Sequence, residues 1–275
     1  MVKRRRPAWS NAFASDAVAE VTNDLRAIEI TTEWAWGKAS GRGVKVAVVD
    51  SGIDNEHPAI AGRVSQWMAF TKERETDVII SSNEPHTDTF GHGTACADII
   101  LRVAPDVELI SIKVLGEGIT GDHSTFVAGL KWCVDNQVNV VNLSLGVTKK
   151  QYATVFYELA DEAYFKGVNL VTAANNMPVT SYPSLYASVL SVACHDVDDP
   201  NTFYVNPNPP VEFGAPGINI DVAWQDGGNL TVTGNSFAAP HISGRIACLL
   251  SKHPSLTPSQ VKTVLSATAS NSSNP

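Results

Sequence analysis

Between residues 44 and 194 the chain repeats one pattern: a short apolar run, a turn, and a helix-length segment. Val44-Lys-Val-Ala-Val-Val49, Leu109-Ile-Ser-Ile-Lys-Val114, Val138-Asn-Val-Val-Asn-Leu143, Asn169-Leu-Val-Thr172 and Val189 to Cys194 all have strand length. Near-continuous apolar runs of this kind belong to strands buried on both faces of a parallel sheet. Ser124 to Asn136 and Tyr152 to Lys166 read as helices, the second closed by Gly167, a C-terminal stop signal. Ser236 to Leu250 and Thr257 to Leu265 read as two more, with Pro258 at the first helical position of the latter.

Strands alternating with helices predict an α/β fold: a mostly parallel central sheet with helices on both faces. The 275 residues suffice for one such domain. It is expected over residues 25–270, after a flexible or loosely docked extension at 1–24 and before a short tail at 271–275. The Pro- and Asn-rich stretch from Pro200 to Pro210 reads as a surface loop. In parallel sheets functional groups collect at the carboxyl ends of the strands. Asp50, Gly116, Ser144 and the pair Asn175-Asn176 fall there, after the first four runs.

Composition removes several classes of function. A formal net charge of −8 argues against nucleic acid as a partner, since phosphate contact needs a positive face. No stretch approaches the ~20 apolar residues of a membrane span. The basic start Met-Val-Lys-Arg-Arg-Arg-Pro is followed by no apolar run, so a secretory signal is not expected and a cytoplasmic location is the simplest expectation. Whether the chain is one domain of a longer polypeptide stays open. Cys96, Cys133, Cys194 and Cys248 are too sparse for a disulfide framework and form no CxxC pair, so most of them are expected to be buried free thiols. No HExxH or paired His-Cys spacing points to a metal.

Peptide hydrolysis needs a nucleophile, a base to take its proton, a group to orient that base, and donors for the oxyanion. Asp50 lies in Val-Val-Asp-Ser-Gly-Ile-Asp, where a strand end holds a carboxylate rigidly. His92 lies in Phe-Gly-His-Gly-Thr, between glycines that allow close backbone approach. Ser236 lies in Gly-Asn-Ser-Phe-Ala-Ala-Pro-His, at the start of an Ala-rich helix whose dipole favours developing negative charge. Taken singly, these are a turn former, a loop residue and a helix cap. Their order, Asp, His, Ser, is that of one known triad arrangement.

The segments Asp50-Ser-Gly-Ile-Asp54, Gly91-His-Gly-Thr94 and Gly234 to His241 resemble the catalytic blocks of the subtilase family. Ser144-Leu-Gly146, Tyr182-Pro183 and Phe213-Gly-Ala-Pro-Gly217 resemble its flanking blocks, all in order from about residue 30 to about residue 268. The resemblance implies a serine endopeptidase with Asp50, His92 and Ser236 as its triad. It implies an oxyanion donor in Ala173-Ala-Asn-Asn176, where the family pattern Ala-Ala-Gly-Asn aligns Asn176 with the donor and Asn175 with the glycine. A one-residue slip would make Asn175 the donor. It further implies a peptide or protein substrate bound in extended form against Gly118-Ile119-Thr120 and Ser144-Leu145-Gly146. Val147 and Ser181 stand where glycines are common and add atoms to the primary pocket; Glu117 and Asp122 place acid beside the upstream subsites.

Three departures bear on function. Asn235 precedes the nucleophile where the family usually has Thr. The run Ala95 to Pro105 lacks the Asn-rich insertion of calcium-binding relatives, so no cofactor is expected and that strong calcium site does not carry over, a weaker site elsewhere staying open. Cys96 follows His92 by four residues, one helical turn, and is therefore expected beside the imidazole. Two rival functions fit less well. An esterase of the α/β-hydrolase type fails for want of a Gly-x-Ser-x-Gly elbow. A catalytically silent subtilase fold used as a binding or scaffold module sits poorly with three intact chemical groups.

Overall fold

A computed structural model describes residues 25–73, 75–116, 121–197 and 199–272. The extension read at residues 1–24 and the substrate segment Gly118-Ile119-Thr120, with Glu117 beside it, lie outside those residues.

The strands are β1 (Lys45–Asp50), β2 (Val64–Lys72), β3 (Ile79–Ser82), β4 (Glu108–Lys113), β5 (Val140–Leu143), β6 (Asn169–Ala173), β7 (Leu190–His195), β8 (Tyr204–Val205), β9 (Phe213–Pro216), β10 (Ile220–Ala223) and β11 (Asn229–Val232). The α-helices are α1 (Thr32–Ala35), α2 (His92–Val103), α3 (His123–Asp135), α4 (Ala153–Phe165), α5 (Asn235–Lys252) and α6 (Pro258–Thr268). Among the described residues nine strands form one sheet in the order β3-β2-β4-β1-β5-β6-β7-β9-β8. The seven inner strands run parallel, and β3 and β8 close the edges antiparallel. β10 and β11 make a separate antiparallel ribbon.

The strand period of two divides the core. Val46 and Val48 of β1 pack with α2, α5 and α6 on one face, while Ala47 and Val49 pack with α3 and α4 on the other. This is the predicted α/β arrangement. The five expected strands and four expected helices are present within two or three residues of their predicted ends. Pro258 opens α6, where Thr257 and Gln260 form a reciprocal capping box.

α5 determines where the site lies. Every residue from Phe237 to Leu250 is buried, and the helix packs against β5, β6, β7 and α2. A buried helix cannot shift its N-terminus without disturbing the core, so Ser236 is held on a rigid element. Among the described residues no helix is long and apolar enough to cross a membrane.

Candidate active site

Asp50 ends β1 and is fully buried. Its Oδ1 accepts hydrogen bonds from the Ser51 backbone N–H at 2.8 Å and the Ser51 hydroxyl at 3.2 Å. Both carboxylate oxygens lie 2.9 Å from His92 Nδ1. His92 opens α2, and its position depends on the glycines beside it. Gly91, just before the helix, has φ +105°, a backbone region costly for other residues, and a side chain on Gly93 would run into the Gly52 carbonyl oxygen. The strand-end turn and the start of α2 therefore meet backbone to backbone.

Burial lowers the pKa of the His92 imidazole, but the charge of Asp50, its hydrogen bond and the charge of Asp88 outweigh it. The net result is a pKa above the ordinary value for histidine. Asp88 escaped the sequence reading. It accepts from the Phe90 backbone N–H at 2.9 Å, the Thr94 backbone N–H at 2.9 Å and the Thr94 hydroxyl at 2.7 Å, and so braces the turn into α2. The signal was present as an aspartate six residues ahead of a threonine within Asp-Thr-Phe-Gly-His-Gly-Thr.

Ser236 stands at the second residue of α5. Pro240, four residues on, has no N–H to give to the Ser236 carbonyl, which an uninterrupted helix would have paired. That carbonyl instead accepts from the Ser144 hydroxyl at 2.7 Å and the Cys96 thiol at 3.7 Å. Behind it the Asn142 amide donates to Ser144 at 2.9 Å, and the Ser243 hydroxyl donates to Asn142 at 3.0 Å. A buried polar chain thus fixes the serine backbone from β5 and from within α5 itself.

His92, Ser236, Asn176, Ser144, Leu145, Gly146, Val147 and Ser181 line one cleft of about 550 Å³. His123, Phe126 and Trp224 also line it, and the motifs had not singled these out. Asn176 Oδ1 accepts from the Asn235 backbone N–H at 2.9 Å, which leaves the Nδ2 hydrogens free. A Cβ on Gly234 would sit 3.5 Å from Asn176 Nδ2 and 3.4 Å from Ser236 Oγ, so this glycine keeps the space between them open. Asn175 stands in the glycine position of the family pattern. It is absent from the residues with positive φ; its Oδ1 caps the turn by accepting from Met177 N–H at 2.8 Å.

Val147 pairs with Tyr182 through two 2.9 Å backbone hydrogen bonds, and Ser181 shares a 2.9 Å hydrogen bond with Ser184. Both are buried and line the cleft. Asp122 lines the same cleft as His92 and Ser236. It caps α3 by accepting from the Ser124 backbone N–H at 2.8 Å, and the Ser124 hydrogen bonds, with Lys72 at 3.2 Å, bring its carboxyl to about 2. Lys72 is shared with Asp77 at 2.9 Å.

Cys96 is fully buried. Ligand atoms of Asp50, His92 and Cys96 lie within 4.8 Å of one another, and this carboxylate, imidazole and thiol form a donor set for a soft ion, not for calcium. Burial, with the charge of Asp50 nearby, pushes the thiol pKa well above its ordinary value, so it is protonated and poorly reactive at rest. A mercury adduct would nevertheless displace the imidazole. A small mercurial is expected to inactivate the wild type, while Cys96→Ala stays active and becomes resistant. Equal sensitivity of the two proteins in a residual-activity assay would show that this thiol is not responsible.

The fold and this cleft together define a subtilisin-like serine protease. The chain belongs to the subtilase family, whose model matches residues 41–275. It is 32% identical over 246 residues to subtilisin DY of Bacillus licheniformis, covering 84% of this chain and 85% of that protein. To subtilisin E of Bacillus subtilis (strain 168) it is 31% identical over 245 residues, covering 84% of this chain and 61% of that protein. The chain therefore spans less than two thirds of the length of subtilisin E. Among solved structures, a cold-adapted subtilisin-like serine proteinase superposes with TM-score 0.68 and 27% identity, covering 86% of this chain and 87% of that one.

Proposed function

We propose that the chain is a serine endopeptidase in which Asp50 orients His92, His92 takes the proton of Ser236, and Ser236 attacks the scissile carbonyl. The observation that carries this is the contact of both Asp50 oxygens with His92 Nδ1 at 2.9 Å, in a cleft shared with Ser236 at the N-terminus of α5. The contact keeps the Nδ1 proton toward the carboxylate and leaves Nε2 as the base. The Ser236 N–H and the Asn176 side chain hold the oxyanion. One finding favours Asn176 over Asn175: its Nδ2 lies across Gly234 from the nucleophile, a Cβ on that glycine falling 3.5 Å from Asn176 Nδ2 and 3.4 Å from Ser236 Oγ. His92 then protonates the leaving amine, and water repeats the sequence on the acyl-enzyme.

The substrate lies extended along Ser144-Leu145-Gly146, where Gly146 is exposed at the cleft edge. Val147 and Ser181 narrow the primary pocket, which favours small or medium side chains. A peptide library blocked at both termini tests both parts of this reading. Internal cleavage after small or medium residues is expected; a profile led by Phe or Tyr would contradict the pocket argument, and trimming only of unblocked ends would contradict endopeptidase action.

No bound calcium is invoked, because α2 runs unbroken from His92 to Val103 where calcium-binding relatives carry their insertion. Chelation is expected to leave the melting temperature within a degree or two. A large fall restored by added calcium would reverse this.

A further inference from the structure

We infer that Asn235 is a positioning residue of the oxyanion site. It is half-buried, begins α5, and connects three segments at once. Its Oδ1 accepts from the Cys194 backbone N–H of β7 at 2.9 Å. Its Nδ2 donates to the Ala174 and Asn175 carbonyls, each at 3.2 Å, in the turn after β6. Its backbone N–H donates to Asn176 Oδ1 at 2.9 Å.

This set of bonds has a functional direction. The two side-chain donors fasten the turn that carries Asn176, and the backbone donor fixes which way the Asn176 amide faces. With both amide hydrogens engaged and the oxygen taken, the Asn235 side chain has no donor left for an oxyanion. It therefore acts through Asn176 and does not touch the reacting atoms. A threonine here reaches fewer of these groups, since its single hydroxyl has one hydrogen and sits one atom nearer the backbone. The cleft of this chain thus fixes its donor amide by clamping the turn from the adjacent helix. A displacement on the order of 1 Å at a catalytic group costs about 10²-fold in rate, so loss of the clamp has a kinetic consequence.

The inference rests on Asn176 as the oxyanion donor, and a double-mutant cycle separates the two claims. Asn176→Ala, Asn235→Ala and the double variant are compared by kcat and KM per titrated active site, with melting temperatures recorded. Asn176→Ala alone is expected to lower kcat by about 10²–10³, the size found for the corresponding donor of subtilisin itself. Asn235→Ala is expected to lower kcat by about tenfold to a hundredfold at nearly constant KM. In the Asn176→Ala background the same change is expected to cost less than about twofold, because residues acting as one unit are not additive. An equal factor in both backgrounds, or unchanged kcat in a folded Asn235→Ala, overturns the positioning role while leaving Asn176 as donor. Unchanged kcat in Asn176→Ala overturns the donor assignment and this inference with it. Should the alanine variant fail to fold, Asn235→Asp makes the same comparison: it keeps an oxygen for the Cys194 N–H and loses both bonds to the turn.

Discussion

Replacing Ser236 with alanine is expected to leave a folded protein whose peptide hydrolysis is slower by on the order of 10⁶, a figure found for the nucleophile of subtilisin itself. The fold tolerates the change because little else depends on the hydroxyl. The carbonyl of the residue, not its side chain, receives the bonds from Ser144 and Cys96, and α5 is anchored by the buried residues that follow. Adding His92→Ala should cost almost nothing more, since a base without a nucleophile has no proton to take. The measurement is kcat on a blocked peptide, with the melting temperature as control. A loss of tenfold or less in the folded variant would exclude acyl-enzyme formation on Ser236.

Asp50→Asn is expected to lower kcat by about 10⁴, the size of the corresponding change in another serine protease. The asparagine amide would present a donor to Nδ1, turning the imidazole to the tautomer that carries its proton on Nε2, where a base is required. The pH profile gives an independent readout. Activity needs neutral His92, so it rises with pH through the imidazole pKa. The folded-state pKa is raised, chiefly because the Asp50 charge and hydrogen bond outweigh burial, so the acid limb of the wild type lies above the ordinary histidine value. Removing that charge leaves burial less opposed, and the residual activity should persist to lower pH. An acid limb that stays in place would mean that Asp50 does not act on the base.

Much of the fold was legible because buried parallel strands leave continuous apolar runs. β2 was not, since Val-Ser-Gln-Trp-Met-Ala-Phe-Thr-Lys mixes polar and apolar residues without strict alternation and a register shift between Val64 and Gln66 breaks its period. β3, β8 and the β10–β11 ribbon are short and partly exposed, so they lack the apolar run altogether. In the site, motif residues were visible because glycine, proline and cysteine leave local marks. Cys96 is such a case: helical spacing put the thiol beside the imidazole, and their ligand atoms lie within 4.8 Å. The chain from Ser243 through Asn142 and Ser144 to the Ser236 carbonyl was not legible, because it joins residues up to 101 positions apart, whereas the bonds of Asp88 are local but follow no familiar motif. The role of Pro240 was readable in principle, as a proline four residues after a serine always frees that serine's carbonyl from the helix.

The central claim is that Ser236 is the nucleophile activated by His92. It is tested most directly by treating the folded protein with a fluorophosphonate and locating the adduct by peptide mass mapping. One adduct per chain is expected, on Ser236, absent from Ser236→Ala and strongly slowed in His92→Ala. An adduct on a different residue, labelling that persists in Ser236→Ala, or no labelling of the folded wild type would contradict it.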